Sequence, residues 1–264
     1  MNITAAVNLL KGVLKYTLNY FILIVCYPGR YLRPKPRLKD ILEKIHRREP
    51  FALARFVDGE WCAMVGKECV SIDKVTFPGR ITKIGRVLER IVSLTEENFY
   101  IGIILKPTPI CSLEMMKWFF DRVKQDQKYL ISASIFVNAN YQLFLEFIKC
   151  VDEEVVLFAN EGANIQNLPF PVKEFYGVPT EGILFYEQHE DSFINDIHAR
   201  AKKYQNTLFI ACAGTLAKVV AYEGWKVNKT NRYVDVGSAL DEFLFGRKTR
   251  SYQNPGHPDS RANY

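Results

Sequence analysis

Seven short apolar runs, each bounded by turn residues, constrain the fold of this chain more than any other feature. They fall at 51–56, 99–105, 129–137, 155–159, 172–176, 207–212 and 233–236. Most are shorter than a helix needs and rich in Val, Ile, Phe and Tyr, which suit a pleated surface. Segments with helical spacing separate many of them. ITKIGRVLERIVSL sets Ile81, Ile84, Val87, Leu88 and Ile91 on one face. SLEMMKWFFDRVKQ opens on Ser112 as a cap with Glu114 in its first turn, and NANYQLFLEFIKCV and DSFINDIHARAKKY follow the same logic. The alternation predicts an α/β fold: a Rossmann-like, mostly parallel sheet with helices on both faces. Ligands of such folds bind beyond the carboxyl ends of the strands.

With 264 residues, 48% hydrophobic and 24% charged, the chain can bury a core without staples. A formal net charge of +6 favours anionic partners without choosing among them, and ordinary surface lysines account for it equally. The six cysteines form no C-x-x-C pair, so neither a zinc site nor a disulfide framework is expected and a reducing compartment suits the chain. No nucleic-acid-binding motif stands out, and no nucleic-acid partner is expected.

Three parts are expected: an N-terminal segment 1–39, a single α/β domain 40–246 and a polar, basic tail 247–264. From 16 to 27 the chain is nearly all apolar, with Lys11 and Lys15 before it and Arg30, Arg33, Lys35, Arg37 and Lys39 after it. That run is shorter than the roughly 20 residues of a membrane span, and it ends in CYPGRY rather than in the small residues of a signal cleavage site. An amphipathic segment in the membrane interface fits, its basic residues on anionic headgroups. A helix packed on the domain's own core is the rival reading. On the first reading the protein is cytoplasmic and peripheral on the inner face of the cell membrane. The tail, with Arg247, Lys248 and Arg250, is either a loosely ordered end or a lid over the site.

The first run ends in RFVDGEW, where Arg55, Asp58 and Glu60 crowd the expected ligand edge. One account makes Asp58 a helix N-cap and Glu60 a first-turn acid that complements the helix dipole. The other is a divalent-cation site. Two carboxylates one residue apart can share Mn²⁺ or Mg²⁺, whose remaining ligands are water and diphosphate oxygens. Gly59 between them lets backbone approach a ligand. Arg55 belongs near the phosphates or in an ion pair with the acids. Downstream, CAGTLAKV puts Gly214 and Thr215 at a helix N-terminus, either a phosphate site or a plain βα turn with a Thr cap. Asp235, Asp241 and Glu242 at the last strand end are candidate bases, and each could equally be a capping or solvated acid. Glu161 is a further one.

RFVDGEW after a first strand resembles the RFGDGE signature of the GT-D-type glycosyltransferases, bacterial nucleotide-sugar-dependent enzymes with a D-x-E metal motif. LFIACAGTLAKVVAYEGWKVNKTNRYVDVGSALDEF is similar to that family's closing segment, a strand, a GPTA-like turn, a helix and a DIGH-like strand end; FVNANY before a helix is similar too. Val57 replaces a glycine, AGT stands for GPT, and VGSALDE lacks the family's histidine. The resemblance implies that Asp58 and Glu60 hold Mn²⁺ or Mg²⁺ on the donor's two phosphates. It also implies transfer of a hexosyl unit from a nucleotide sugar, a UDP-sugar by preference, to a glycan or lipid-linked acceptor in surface polysaccharide or glycoconjugate synthesis. Two alternatives stand beside it. A Rossmann-like methyltransferase or dehydrogenase would need glycines where VDGE has acids. A non-catalytic, membrane-docked nucleotide-binding protein would keep the fold without turnover.

Overall fold

The computed structural model describes residues 14, 17–28, 35–70, 75–106 and 112–262. In chain order its strands are β1 (Phe51–Arg55), β2 (Cys69–Val70), β3 (Thr76–Phe77), β4 (Phe99–Ile103), β5 (Leu130–Ser132), β6 (Val155–Asn160), β7 (Val172–Val178), β8 (Leu208–Cys212) and β9 (Arg232–Asp235). The principal helices are α1 (Leu38–His46), α2 (Asp58–Val65), α3 (Lys83–Val92), α4 (Leu113–Arg122), α5 (Tyr141–Ile148), α6 (Gly182–Lys203), α7 (Leu216–Val227) and α8 (Asp241–Phe245). Seven strands form one sheet in the order β5-β4-β1-β9-β8-β6-β7, and all their pairings are parallel. β2 and β3 pair antiparallel as a separate hairpin.

Side-chain alternation along the strands divides the core into two layers. Ala52 and Ala54 face α2, α3, α4, α6 and α7, whereas Phe51 and Leu53 face α1, α5 and α8. Every residue of β1 and β4 is buried, as expected of central parallel strands covered on both faces. Register then decides what meets at the carboxyl edge. Arg55 pairs with Gly102, Leu53 with Val234, and Ala211 with Asp235. The ends of β1, β8 and β9, which are consecutive neighbours in the sheet in the order β1, β9, β8, therefore open onto one place.

The structure departs from expectation in four places. The run at 129–137 is a strand only over β5. From Ala133 the chain turns, and Ile135 and Phe136 are buried by packing rather than by pairing. The β2–β3 hairpin has strands of only two residues each, in a stretch where no strand was expected. α6 begins nine residues before DSFINDIHARAKKY and runs through a non-helical residue at His189. The tail is built into the fold: Tyr252 joins the core beside α5, Gln253 is buried, and the Ala139 amide donates to the Ala262 carbonyl.

Candidate active site

β1 delivers the acids. Past Arg55 the chain stays extended through Val57, the residue at the N-cap of α2, and Asp58 takes the first helical position. Glu60 reaches back so that its Oε2 accepts the Val57 amide at 3.0 Å. Asp58 is thus not the cap; the Glu60 carboxylate instead holds the amide of the N-cap residue, and Asp58 is left exposed at the mouth of a cleft. Asp58 makes no ion pair among the described residues. Its carboxyl group is pushed above the ordinary range by partial burial and then by the charge of Glu60. A Cβ on Gly59 would meet the Phe77 ring at 2.9 Å, so the missing side chain there admits the β2–β3 hairpin.

Beneath the cleft lies a buried network of four charges. Lys218 of α7 places its Nζ 2.9 Å from Glu60 Oε1, 3.2 Å from Asp235 Oδ2 and 2.9 Å from the Gly214 carbonyl. Asp235 is fully buried: its Oδ2 accepts the Arg55 amide at 3.0 Å and its Oδ1 the Gly237 amide at 3.0 Å. Arg55 donates from Nε to the Asp235 carbonyl and from Nη1 to Ala133, while its guanidinium lies over the Phe136 ring. Burial pulls the Lys218 ammonium toward neutrality, but Asp235 and Glu60 outweigh it and hold the group above the usual lysine range. Two cations and two anions thus tie β1, α2, α7 and β9 together.

Gly237 makes this arrangement possible. Its φ of +55° is left-handed, and a Cβ there would lie 2.0 Å from Arg55 Nη2. Gly237→Ala is expected to cost about 1–3 kcal/mol in urea unfolding, from backbone strain and a displaced guanidinium. A change under about 0.5 kcal/mol would show that Arg55 does not depend on this close approach.

The cleft encloses about 390 Å³, within the range of small-molecule sites. Asp58, Gly59 and Glu60 line it together with Gly214, Thr215 and Lys218, and Asn160 and Thr180 line it as well. Gly214 has φ +54° with open space where a Cβ would stand, and the α7 N-terminus after it has no side-chain cap. Arg55, Asp241, Arg250 and Tyr252 complete the wall. The candidate bases are separated by this geometry. Asp235 lies under the floor with both carboxylate oxygens engaged. Asp241 lines the cleft, its Oδ2 accepting from the Thr249 hydroxyl at 2.5 Å. Glu242 instead accepts from the Tyr141 hydroxyl at 3.3 Å, and neither Glu242 nor Glu161 lines the cleft.

Two contributors escaped the sequence reading. Lys218 carries a signal in retrospect, since it is a lysine inside the otherwise apolar first turns of a helix that follows a buried strand. Tyr252 carries none, because its place depends on how the tail folds back. Arg250, one of three basic tail residues singled out, reaches the cleft, whereas Arg247 and Lys248 are exposed outside it.

No family model matches the chain, and no curated protein does. Solved structures do. One is a glycosyltransferase of domain of unknown function 1792 from Streptococcus sanguinis, 13% identical with a TM-score of 0.55, covering 82% of this chain and 86% of that one. A second structure of domain of unknown function 1792, described as having a distinct glycosyltransferase fold, is 15% identical with a TM-score of 0.57, covering 84% and 85%. At this identity the likeness is one of architecture: the chain has a glycosyltransferase fold, a parallel seven-stranded sheet sheathed by helices.

Proposed function

We propose that the protein is a metal-assisted glycosyltransferase, moving a hexosyl unit from a nucleoside-diphosphate sugar to a glycan or lipid-linked acceptor. One observation carries the reading: Asp58, a carboxylate with no ion pair among the described residues, and a helix N-terminus without a side-chain cap open on the same cleft. The first suits a divalent cation, and the second suits phosphate oxygens. A metal-bound diphosphate presents both charges at once.

The donor set bears on the ion. Glu60 already has an ammonium at 2.9 Å and an amide at 3.0 Å, so a dication beside it would have to share that carboxylate with Lys218. No cluster of three His, Cys, Asp or Glu side chains suited to a metal occurs among the described residues. Mg²⁺ and Mn²⁺ need only one or two carboxylates when substrate phosphates and water complete the shell. The site fits an ion held chiefly by Asp58, with Glu60 fixing the start of α2 behind it. When bound, the ion supplies Lewis-acid stabilisation of the departing nucleoside diphosphate. The amides at Gly214 and Thr215 hold phosphate oxygens, and Arg250 adds a positive charge at the wall. Of the candidate bases, Asp241 is the one proposed to take the acceptor proton, because it lines the cleft. A UDP-sugar is the proposed donor, surface polysaccharide or glycoconjugate the product, and the inner membrane face the place of work.

Titration calorimetry with UDP is expected to give binding in the presence of Mn²⁺ and little in EDTA. A panel of nucleotide sugars should show slow donor hydrolysis with the same dependence. Equal UDP binding with and without metal would remove the ion from the proposal. No binding of any nucleoside diphosphate would overturn it.

A further inference from the structure

We infer that the helical N-terminal segment is an interfacial docking face that lies on an anionic lipid surface. Residue 14 and residues 17–26 are helical. One side of the segment is tied to the domain. Leu23 is fully buried, the Tyr27 ring lies 5.2 Å from Phe120, and the Tyr27 hydroxyl donates to Asp121 at 2.8 Å. The other side is exposed. Leu14, Leu18, Phe21 and Val25 recur at helical spacing and are 58–64% exposed. With Tyr20 they make up five of the ten exposed large apolar side chains among the described residues. Apolar exposure concentrated in this way marks a contact surface.

Charge identifies the occupant. Residues 1–39 contain seven of the 35 Lys and Arg and none of the 29 Asp and Glu, so the first acid in the chain is Asp40. The remaining 225 residues carry a net −1, so the excess of positive charge belongs, in sequence, to the segment that holds the apolar stripe. Anionic headgroups beside an acyl boundary match that pattern. A second copy of the chain would bring like charge against like. The stripe also spans only two heptads, short of the three or four that a coiled coil sustains. No helix among the described residues is long and apolar enough to cross a membrane. The segment lies on the bilayer rather than through it.

The inference gives residues and a lipid class to the peripheral location proposed above, and it does not depend on catalysis. The full chain should sediment with vesicles of phosphatidylcholine and phosphatidylglycerol, less so at high salt, and weakly with phosphatidylcholine alone. Phe21→Asp should lower affinity about tenfold or more with thermal unfolding unchanged, given how exposed the side chain is. Leu18→Gln tests the same face more mildly should that variant misfold. Lys11→Ala and Lys15→Ala should each lose about fivefold, on anionic vesicles only. A chain that stays in the supernatant overturns the inference. So does binding indifferent to both apolar-face variants, or a dimer in light scattering that Phe21→Asp dissolves. Donor hydrolysis in detergent-free buffer, measured on the same variants, reports on the glycosyltransferase reading separately.

Discussion

Lys218→Met is expected to destabilise the protein by about 3–5 kcal/mol in urea unfolding, the scale of removing one partner from a buried ion pair. The ammonium is the cation closest to Glu60 and the second cation on Asp235, and both acids are buried. Without it Glu60 keeps, among the described residues, the Val57 amide, while Asp235 still has Arg55. Glu60→Gln in the same chain should therefore recover part of the loss, because it removes the acid left without a cation. The pH dependence follows from the raised Lys218 value. A base that is more basic folded than unfolded contributes its full stability below the unfolded value, about 10.4 for lysine. That contribution fades as pH rises through the folded value. The gap between wild type and Lys218→Met should accordingly be constant near neutrality and close in strong alkali. A loss under about 1 kcal/mol would mean that water, not Lys218, compensates the two acids.

The same network marks where sequence reasoning reaches and where it stops. Each of the seven apolar runs holds a strand of the sheet, because strands covered by helices on both faces are chiefly apolar, and that signal is local. One run, 129–137, outlasts its strand, which covers only Leu130–Ser132, and it does so for a physical reason. Ile135 and Phe136 are apolar because the turn is buried under the guanidinium of Arg55, and composition does not distinguish burial in a turn from burial in a strand. Asp58, Gly214 and Thr215 were legible as residues of the sheet's carboxyl edge because each follows a strand or opens a helix there. Lys218 was not, since its meaning lies in Glu60 and Asp235, 158 residues before it and 17 after it. The tail presents the same difficulty. Its polar sequence looks unanchored, yet Gln253 accepts the Thr249 and Arg250 amides and Tyr252 hydrogen-bonds Ser238 beside the cleft.

Asp58→Asn separates function from stability most sharply. Asn keeps the shape and the first helical position but gives up the charge. If Asp58 is the chief protein ligand of the proposed ion, Mn²⁺-dependent UDP binding should fall about 100-fold or more, because several kcal/mol of charge stabilisation goes with it. The fold should gain slightly. In the metal-free chain the Asp58 carboxyl is harder to ionise folded than unfolded, from burial and from Glu60. Stability from such an acid is present below its unfolded value, about 3.9, and is lost as pH rises through the folded one. At neutral pH the ionised group therefore works against folding, and Asn removes that cost. Solvent screening at this exposed position limits the gain to no more than about 1 kcal/mol. Glu60→Gln should show the opposite balance, losing stability because Lys218 is left with Asp235 alone, which it shares with Arg55, and because the helix start is weakened. An Asp58→Asn protein that loses stability and keeps UDP binding would make Asp58 a structural acid. The ion, if the protein uses one, would then have to be held elsewhere in the cleft.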